Sequence, residues 1–172
     1  MSSARLDKLR QHMTDVQCEA ILVTNPLNVR YISGYTGLSG RLLITNDRSF
    51  IISDSRYELQ CKIECPDFEL ELMTGRWEIS AIGLARMLNL SLLQFEGDSI
   101  TYNEWNTITS ALRGIKFIPS DRFIETMRMI KDAEEISIIR EATHITDRAF
   151  SHILDFLRPG ITERELAAEI DC

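Results

Sequence analysis

The chain has 172 residues, 44% of them hydrophobic and 26% charged, ordinary globular proportions that exclude a disordered, collagen-like or coiled-coil polypeptide. Nineteen Lys and Arg against 26 Asp and Glu leave a net charge of −7, so there is no basic surface to neutralise phosphates, and nucleic acid is excluded as a partner. No apolar run reaches the roughly 20 residues that span a bilayer, and the N-terminus lacks the apolar stretch of a signal peptide. The expectation is a soluble, cytoplasmic protein with no membrane partner, in which Cys18, Cys61, Cys65 and Cys172 are reduced thiols. At about 150 residues per domain, the length predicts one domain and a remainder too small to fold alone.

Ser3 can cap a first helix on which Leu6, Leu9, Met13 and Val16 recur at three- and four-residue spacing. The continuous run Ala20–Val23 suits a strand buried on both faces. Asn25 as cap and Pro26 in the first turn then open a short helix carrying Val29, Tyr31 and Ile32, and the stretch 33–40, SGYTGLSG, is a loop. Leu42–Thr45 and Phe50–Ser53 flank the turn residues 46–49, which predicts an antiparallel hairpin. Asp54 or Ser55 caps a helix through Tyr57, Leu59 and Ile63 that ends before Pro66. Phe68, Leu70 and Leu72 alternate with Glu69 and Glu71, a strand with one wet face near a sheet edge. A helix over Trp77–Leu88, a strand over Leu92–Phe95, a helix opened by the capping box Thr101–Glu104 and a short strand over Lys116–Ile118 complete the pattern.

About six strands interleaved with helices give an α/β fold, a mixed sheet with helices on both faces, over residues 1–125. Residues 126–131 read as a linker, and 132–172 as a separate segment. There Asp132 and Glu135 form a capping box for a helix running to Leu157 with a wide apolar stripe. Arg158–Gly160 ends it, and Thr162 with Glu165 opens a further helix that reaches the last residue. A helix of that length is marginal without a packing partner, and the pattern predicts a truncated chain.

Chemistry is sparse. His144 and His152 stand eight residues apart, about 12 Å along a helix, too far to share a metal ion, and read as surface or capping residues. Cys61 and Cys65 could present two thiolates on one helix face, but no second pair accompanies them at ligand spacing, so buried thiols are the better reading. Gly34, Gly37 and Gly40 match neither a dinucleotide fingerprint nor a P-loop. The loop that holds them is either a rim reaching toward a ligand or neighbouring subunit, with Tyr35 as its aromatic, or a plain connection. In the stretch 54–57, Asp54 reads as a cap, Arg56 as its ion-pair partner and Tyr57 as packing. No nucleophile, base and oxyanion set can be assembled.

Taken in order, Asn28–Tyr35, Thr36–Gly37, Asp54–Tyr57 and Phe95–Glu96, followed by Arg128–Ile136, Arg140–Ala142, Arg158–Glu163 and Glu165–Ala167, resemble the creatinase, prolidase and aminopeptidase P family of pita-bread metallopeptidases. The resemblance covers nearly the whole chain. It implies a creatinase/prolidase-type N-terminal domain over 1–125, then the first helices of a pita-bread domain whose remainder binds two divalent ions, often manganese, and hydrolyses the bond preceding proline. The family's metal ligands lie beyond residue 172, so no catalytic or metal residue maps onto this chain.

What the resemblance implies is a non-catalytic part serving oligomerisation and active-site rim formation in a cytoplasmic Xaa-Pro aminopeptidase or dipeptidase. Gly34, Tyr35, Thr36 and Arg56 are the substrate-rim candidates, with the Tyr35 ring offered to a proline. Ile139, Phe150, Ile153 and Leu157 are the interface candidates of a homodimer. A creatinase-like hydrolase, or a binding module on the same fold such as a histone-chaperone subunit, would share the architecture.

Overall fold

The computed structural model describes residues 2–171, with side chains from residue 4. The Ser3 side chain, expected as a cap, and Cys172 lie outside the described part. Six strands form one sheet: β1 (Ala20–Val23), β2 (Arg41–Thr45), β3 (Ser49–Ser53), β4 (Glu69–Leu72), β5 (Leu92–Phe95) and β6 (Lys116–Pro119), in the order β4-β3-β2-β1-β5-β6. β2 pairs antiparallel with β1 and β3, whereas β3–β4, β1–β5 and β5–β6 are parallel. All four residues of β1 are buried, as an unbroken apolar run requires. β4 lies at the sheet edge as expected, but without the expected single wet face: Glu69 and Leu72 are exposed, and Leu70 and Glu71 half-buried, because an edge strand is open to water along its side.

The helices of this region are α1 (Ser2–Asp15), α2 (Pro26–Ser33), α3 (Glu58–Glu64, after a 3-10 turn at Ser55–Tyr57), α4 (Trp77–Met87), α5 (Tyr102–Ala111) and α6 (Phe123–Met129). Side chains of α1, α2, α3 and α6, among them Leu9, Ile32, Cys61 and Met127, pack with Ile21, Val23 and Leu42 in one core. α4 and α5 bring Ala85 and Ile108 to Leu22, Leu43 and Leu93 in another. Alternation along each strand sends neighbouring residues to opposite faces, which is why Leu22 and Val23 belong to different cores.

Two further expectations need correction. Leu59 and Ile63, read as apolar positions of α3, are 71% and 69% exposed, while Cys61 and Cys65 are buried thiols as expected. Residues 123–129, read partly as linker, form α6, which buries Ile124 and Met127.

The chain divides into two compact units, Met1–Arg128 and Met129–Cys172. In the second, α7 (Ala133–Phe156) begins at Asp132 with a complete Asp132–Glu135 capping box, and α8 (Glu163–Ile170) begins with the Thr162–Glu165 box. His152 Nε2 meets Glu169 Oε1 at 2.6 Å across the two helices. No side chain of α7 is buried. Among the described residues, no helix is long and apolar enough to cross a membrane.

Candidate functional site

Strands β1, β5 and β6 run in the same direction and end on the same side of the sheet. From there the chain diverges: α2 follows β1 onto one face, α5 follows β5 onto the other, and α6 follows β6 back to the first. In an open α/β sheet such divergence leaves a crevice at the carboxyl ends of the strands, the place where ligands bind. Here the gap between β1 and β5 is closed by the chain itself. Glu96, the residue after β5, takes the backbone N–H groups of Thr24 and Asn25 on Oε2, each at 2.6 Å, and the Asn28 side-chain amide on Oε1 at 2.6 Å. The same Asn28 nitrogen donates to Glu125 Oε1 at 2.7 Å, and Asn28 Oδ1 accepts from Arg128 Nη1 at 2.8 Å.

Asn28 is fully buried and Glu96 6% exposed. Burial pushes the Glu96 carboxyl above the usual glutamate range, against the pull of its donors at Asn25, Asn28 and Thr24. Among the described residues every buried side-chain nitrogen or oxygen has a partner, so the network is complete without a ligand. Between the ends of β5 and β6 a cleft of about 160 Å³ remains, with Glu96, Asp98, Asp121 and Glu125 in its lining. Its cation, Arg122, pairs with Asp98 at 3.4 Å.

On the same side of the sheet lies the loop 34–40, between α2 and β2. Gly34 ends α2 at φ +81°, donating its N–H to Arg30 O at 2.8 Å, a left-handed position that favours glycine. Tyr35, expected to present its ring to a ligand, points inward and is 2% exposed. Its hydroxyl donates to Ser39 O at 3.1 Å, and Ser53 Oγ donates to the same carbonyl. Burial raises the Tyr35 phenol to about 12. Gly37 and Gly40 press on this ring so closely that a Cβ on Gly40 would stand 2.7 Å from ring carbons, and one on Gly37 would collide with the hydroxyl. These two glycines are therefore packing requirements of Tyr35.

Thr36 fastens the loop to α3, its N–H and hydroxyl both donating to the Glu64 carboxylate at 2.7 and 2.8 Å. Arg56 forms a bidentate pair with Asp54, at 3.0 and 2.9 Å, while Asp54 also caps the 3-10 turn by accepting from Arg56 N. Gly34, Tyr35 and Thr36 thus form one structure, and Arg56 lies on the next turn with its side chain in solvent. Among the interface candidates Ile139, Phe150 and Leu157 are exposed and Ile153 half-buried. No group of three or more His, Cys, Asp or Glu side chains among the described residues could hold a metal ion, so these residues do not fit the divalent ions that the resemblance implies.

Sequence reading assigned no role to Asn28, Glu96, Glu125 or Arg128. Asn28, Glu96 and Arg128 stood in the resembling stretches, but they are 68 and 100 residues apart in pairing, which no spacing rule reveals.

Comparison with known proteins gives two family matches: residues 5–130 fit the creatinase/prolidase N-terminal domain, and residues 137–172 fit metallopeptidase family M24. An uncharacterized peptidase of Bacillus subtilis, YqhT, is 34% identical over 167 residues, covering 97% of this chain and 47% of its own length. A solved Xaa-Pro dipeptidase from Bacillus anthracis superposes with a TM-score of 0.92 at 32% identity, over 99% of this chain and 48% of that one. An X-Pro aminopeptidase from Thermotoga maritima superposes with 0.78 at 32% identity, over 88% and 45%. The chain spans about half the length of these relatives.

Proposed function

Because the chain belongs to the creatinase/prolidase N-terminal domain family, we propose that it is the non-catalytic front part of a metal-dependent Xaa-Pro peptidase, a dipeptidase or aminopeptidase that hydrolyses the bond preceding proline. The observation that carries the non-catalytic reading is the closed crevice: the gap at the end of β1 and β5, where an α/β sheet opens to ligand, is filled by Glu96, Asn28 and Arg128 with every polar partner satisfied. The metal donors, for manganese in this reading, come from the part of the relatives' length that this chain does not span. The protein works as a cytoplasmic homodimer, for which the buried free thiols Cys18, Cys61 and Cys65 suit a reducing compartment.

In this reading the loop 34–40 forms the rim. Tyr35 supports it from inside, while Thr36, Arg56 and the 89%-exposed Leu38 are its outward groups. The test is release of the N-terminal residue from an Xaa-Pro peptide in the presence of manganese, by this chain and by a protein of the relatives' full length. Activity in the long form alone is expected. Metal-dependent cleavage by the 172-residue chain overturns the non-catalytic reading, and a long form inert toward Xaa-Pro peptides overturns the peptidase reading.

A further inference from the structure

The Asn28 side chain is saturated. Its two amide hydrogens go to Glu96 Oε1 and Glu125 Oε1, at 2.6 and 2.7 Å, and its oxygen takes Arg128 Nη1 at 2.8 Å, so only one amide orientation satisfies all three partners. The two carboxylate oxygens share one nitrogen and stand within about 5 Å of each other. Their mutual repulsion is offset only while the amide lies between them, and Glu125 adds to the upward push on Glu96.

Two of the three partners, Glu125 and Arg128, belong to α6, the last helix of the first unit, and only residues 130–132 separate α6 from α7. α6 is seven residues long and buries two of them, Ile124 and Met127. Its beginning is held by Phe123, stacked on His12 with ring centroids 3.6 Å apart. Its end has the Met127 carbonyl, which accepts from the Tyr31 hydroxyl at a long 3.4 Å, and the Asn28 amide.

We propose that Asn28 is a positioning residue that pins the C-terminal half of α6, and thereby fixes where the chain leaves the first unit. A polar clamp suits this task better than more apolar packing, because each of its hydrogen bonds has a required direction whereas apolar contact is non-directional.

Hydrogen exchange on the whole 172-residue chain tests it, with Arg128→Met, Arg128→Lys and Asn28→Asp. Arg128→Met is expected to speed exchange of the amides of residues 125–130 by about tenfold or more while leaving β1, β2 and β5 at wild-type rates, the signature of a local opening. Arg128→Lys, which keeps a donor, restores most of the protection. Asn28→Asp, which brings a third carboxylate between two others, gives the larger local effect if it folds, and Arg128→Met decides the question if it does not. Uniform acceleration across the unit, unchanged exchange at α6, or no rescue by lysine overturns the proposal.

Discussion

Tyr35 shows how one side chain sets the sequence around it. Its ring fills the space that a Cβ at Gly37 or Gly40 would occupy, with the hydroxyl facing Gly37 and the ring carbons facing Gly40. Gly37→Ala and Gly40→Ala are each expected to destabilise by about 1–3 kcal/mol, the usual cost of forcing volume into a packed site. A Cβ on Gly37 would meet ring carbon Cζ as well as the hydroxyl, so Tyr35→Phe should rescue neither substitution, whereas Tyr35→Ala removes the ring that both would hit, and Gly37→Ala and Gly40→Ala should each cost less in that background than alone. Urea unfolding of the single and double variants checks this, and an unchanged cost in the Tyr35→Ala background would show that the glycines serve backbone freedom instead. The glycine spacing was plain in the sequence, but whether an aromatic in a glycine-rich loop faces solvent or core depends on which groups can receive its hydroxyl. Here the acceptor is Ser39 O, which also takes the Ser53 hydroxyl and is brought beside it by the β2–β3 pairing.

Glu96 makes a second residue-level prediction. Glutamine is nearly isosteric with it, yet one end of its amide is a donor and must face either the backbone N–H groups of Thr24 and Asn25 or the amide of Asn28, all of them donors. Glu96→Gln should therefore cost about 1–3 kcal/mol at neutral pH. The pH dependence has a definite sign. Because burial raises the folded-state pKa above the unfolded value, the folded protein binds more protons between the two, and wild-type stability gains from this site as pH falls through the folded pKa toward the ordinary glutamate range. Glutamine cannot titrate, so the gap between wild type and variant widens on acidification. Urea midpoints at pH 7 and pH 5 measure it, and a gap that narrows contradicts the origin assigned to the shift.

At the scale of the element, local chemistry was the most readable part of the chain. All three capping boxes, Thr101–Glu104, Asp132–Glu135 and Thr162–Glu165, form as their spacing requires, because a box is completed within four residues and needs nothing from the rest of the fold. Asp132→Ala should cost α7 about 1 kcal/mol, read as a loss of helical circular dichroism on mild heating, since no side chain of α7 is buried to compensate. Where apolar pattern had to be matched to a partner, local signals failed. On α3 the aliphatic residues Leu59 and Ile63 lie outside and Cys61 and Cys65 inside, because the short thiols fit beside Tyr35 and Ser33. α6 was missed since two turns give too little periodicity, although Phe123, Ile124 and Met127 share one face. The inward thiols are testable: burial raises both Cys18 and Cys65 to about 11 and raises Cys61 as well, so in a Cys172→Ser background native protein should react with a thiol reagent only as fast as it opens, and three thiols should appear in denaturant.

For the whole molecule, the order of elements and the mixed sheet were legible because hydrophobic period and turn residues are written locally, whereas the Glu96–Asn28–Arg128 network joins groups that meet only once the sheet is built. The second unit raises the largest unsettled energy. Ile136, Ile139, Ile145, Phe150, Leu154 and Leu157 are each between 40% and 64% exposed along one helix, and fully burying a side chain of this size is worth roughly 1.5–3 kcal/mol. Association has to offset an entropic cost of about 4–15 kcal/mol, which several such side chains supply together. The 172-residue chain is therefore expected to self-associate through α7 at micromolar concentration. Sedimentation across a dilution series should show a monomer–dimer equilibrium, and Ile139→Glu with Leu154→Glu should shift it at least tenfold toward monomer while leaving the β-sheet signature of the first unit intact. A protein of the relatives' full length should lose this sensitivity if its added residues cover the stripe. A wild-type chain that stays monomeric at high micromolar concentration, with α7 still helical, would mean that the stripe is satisfied within one copy and would overturn self-association through α7.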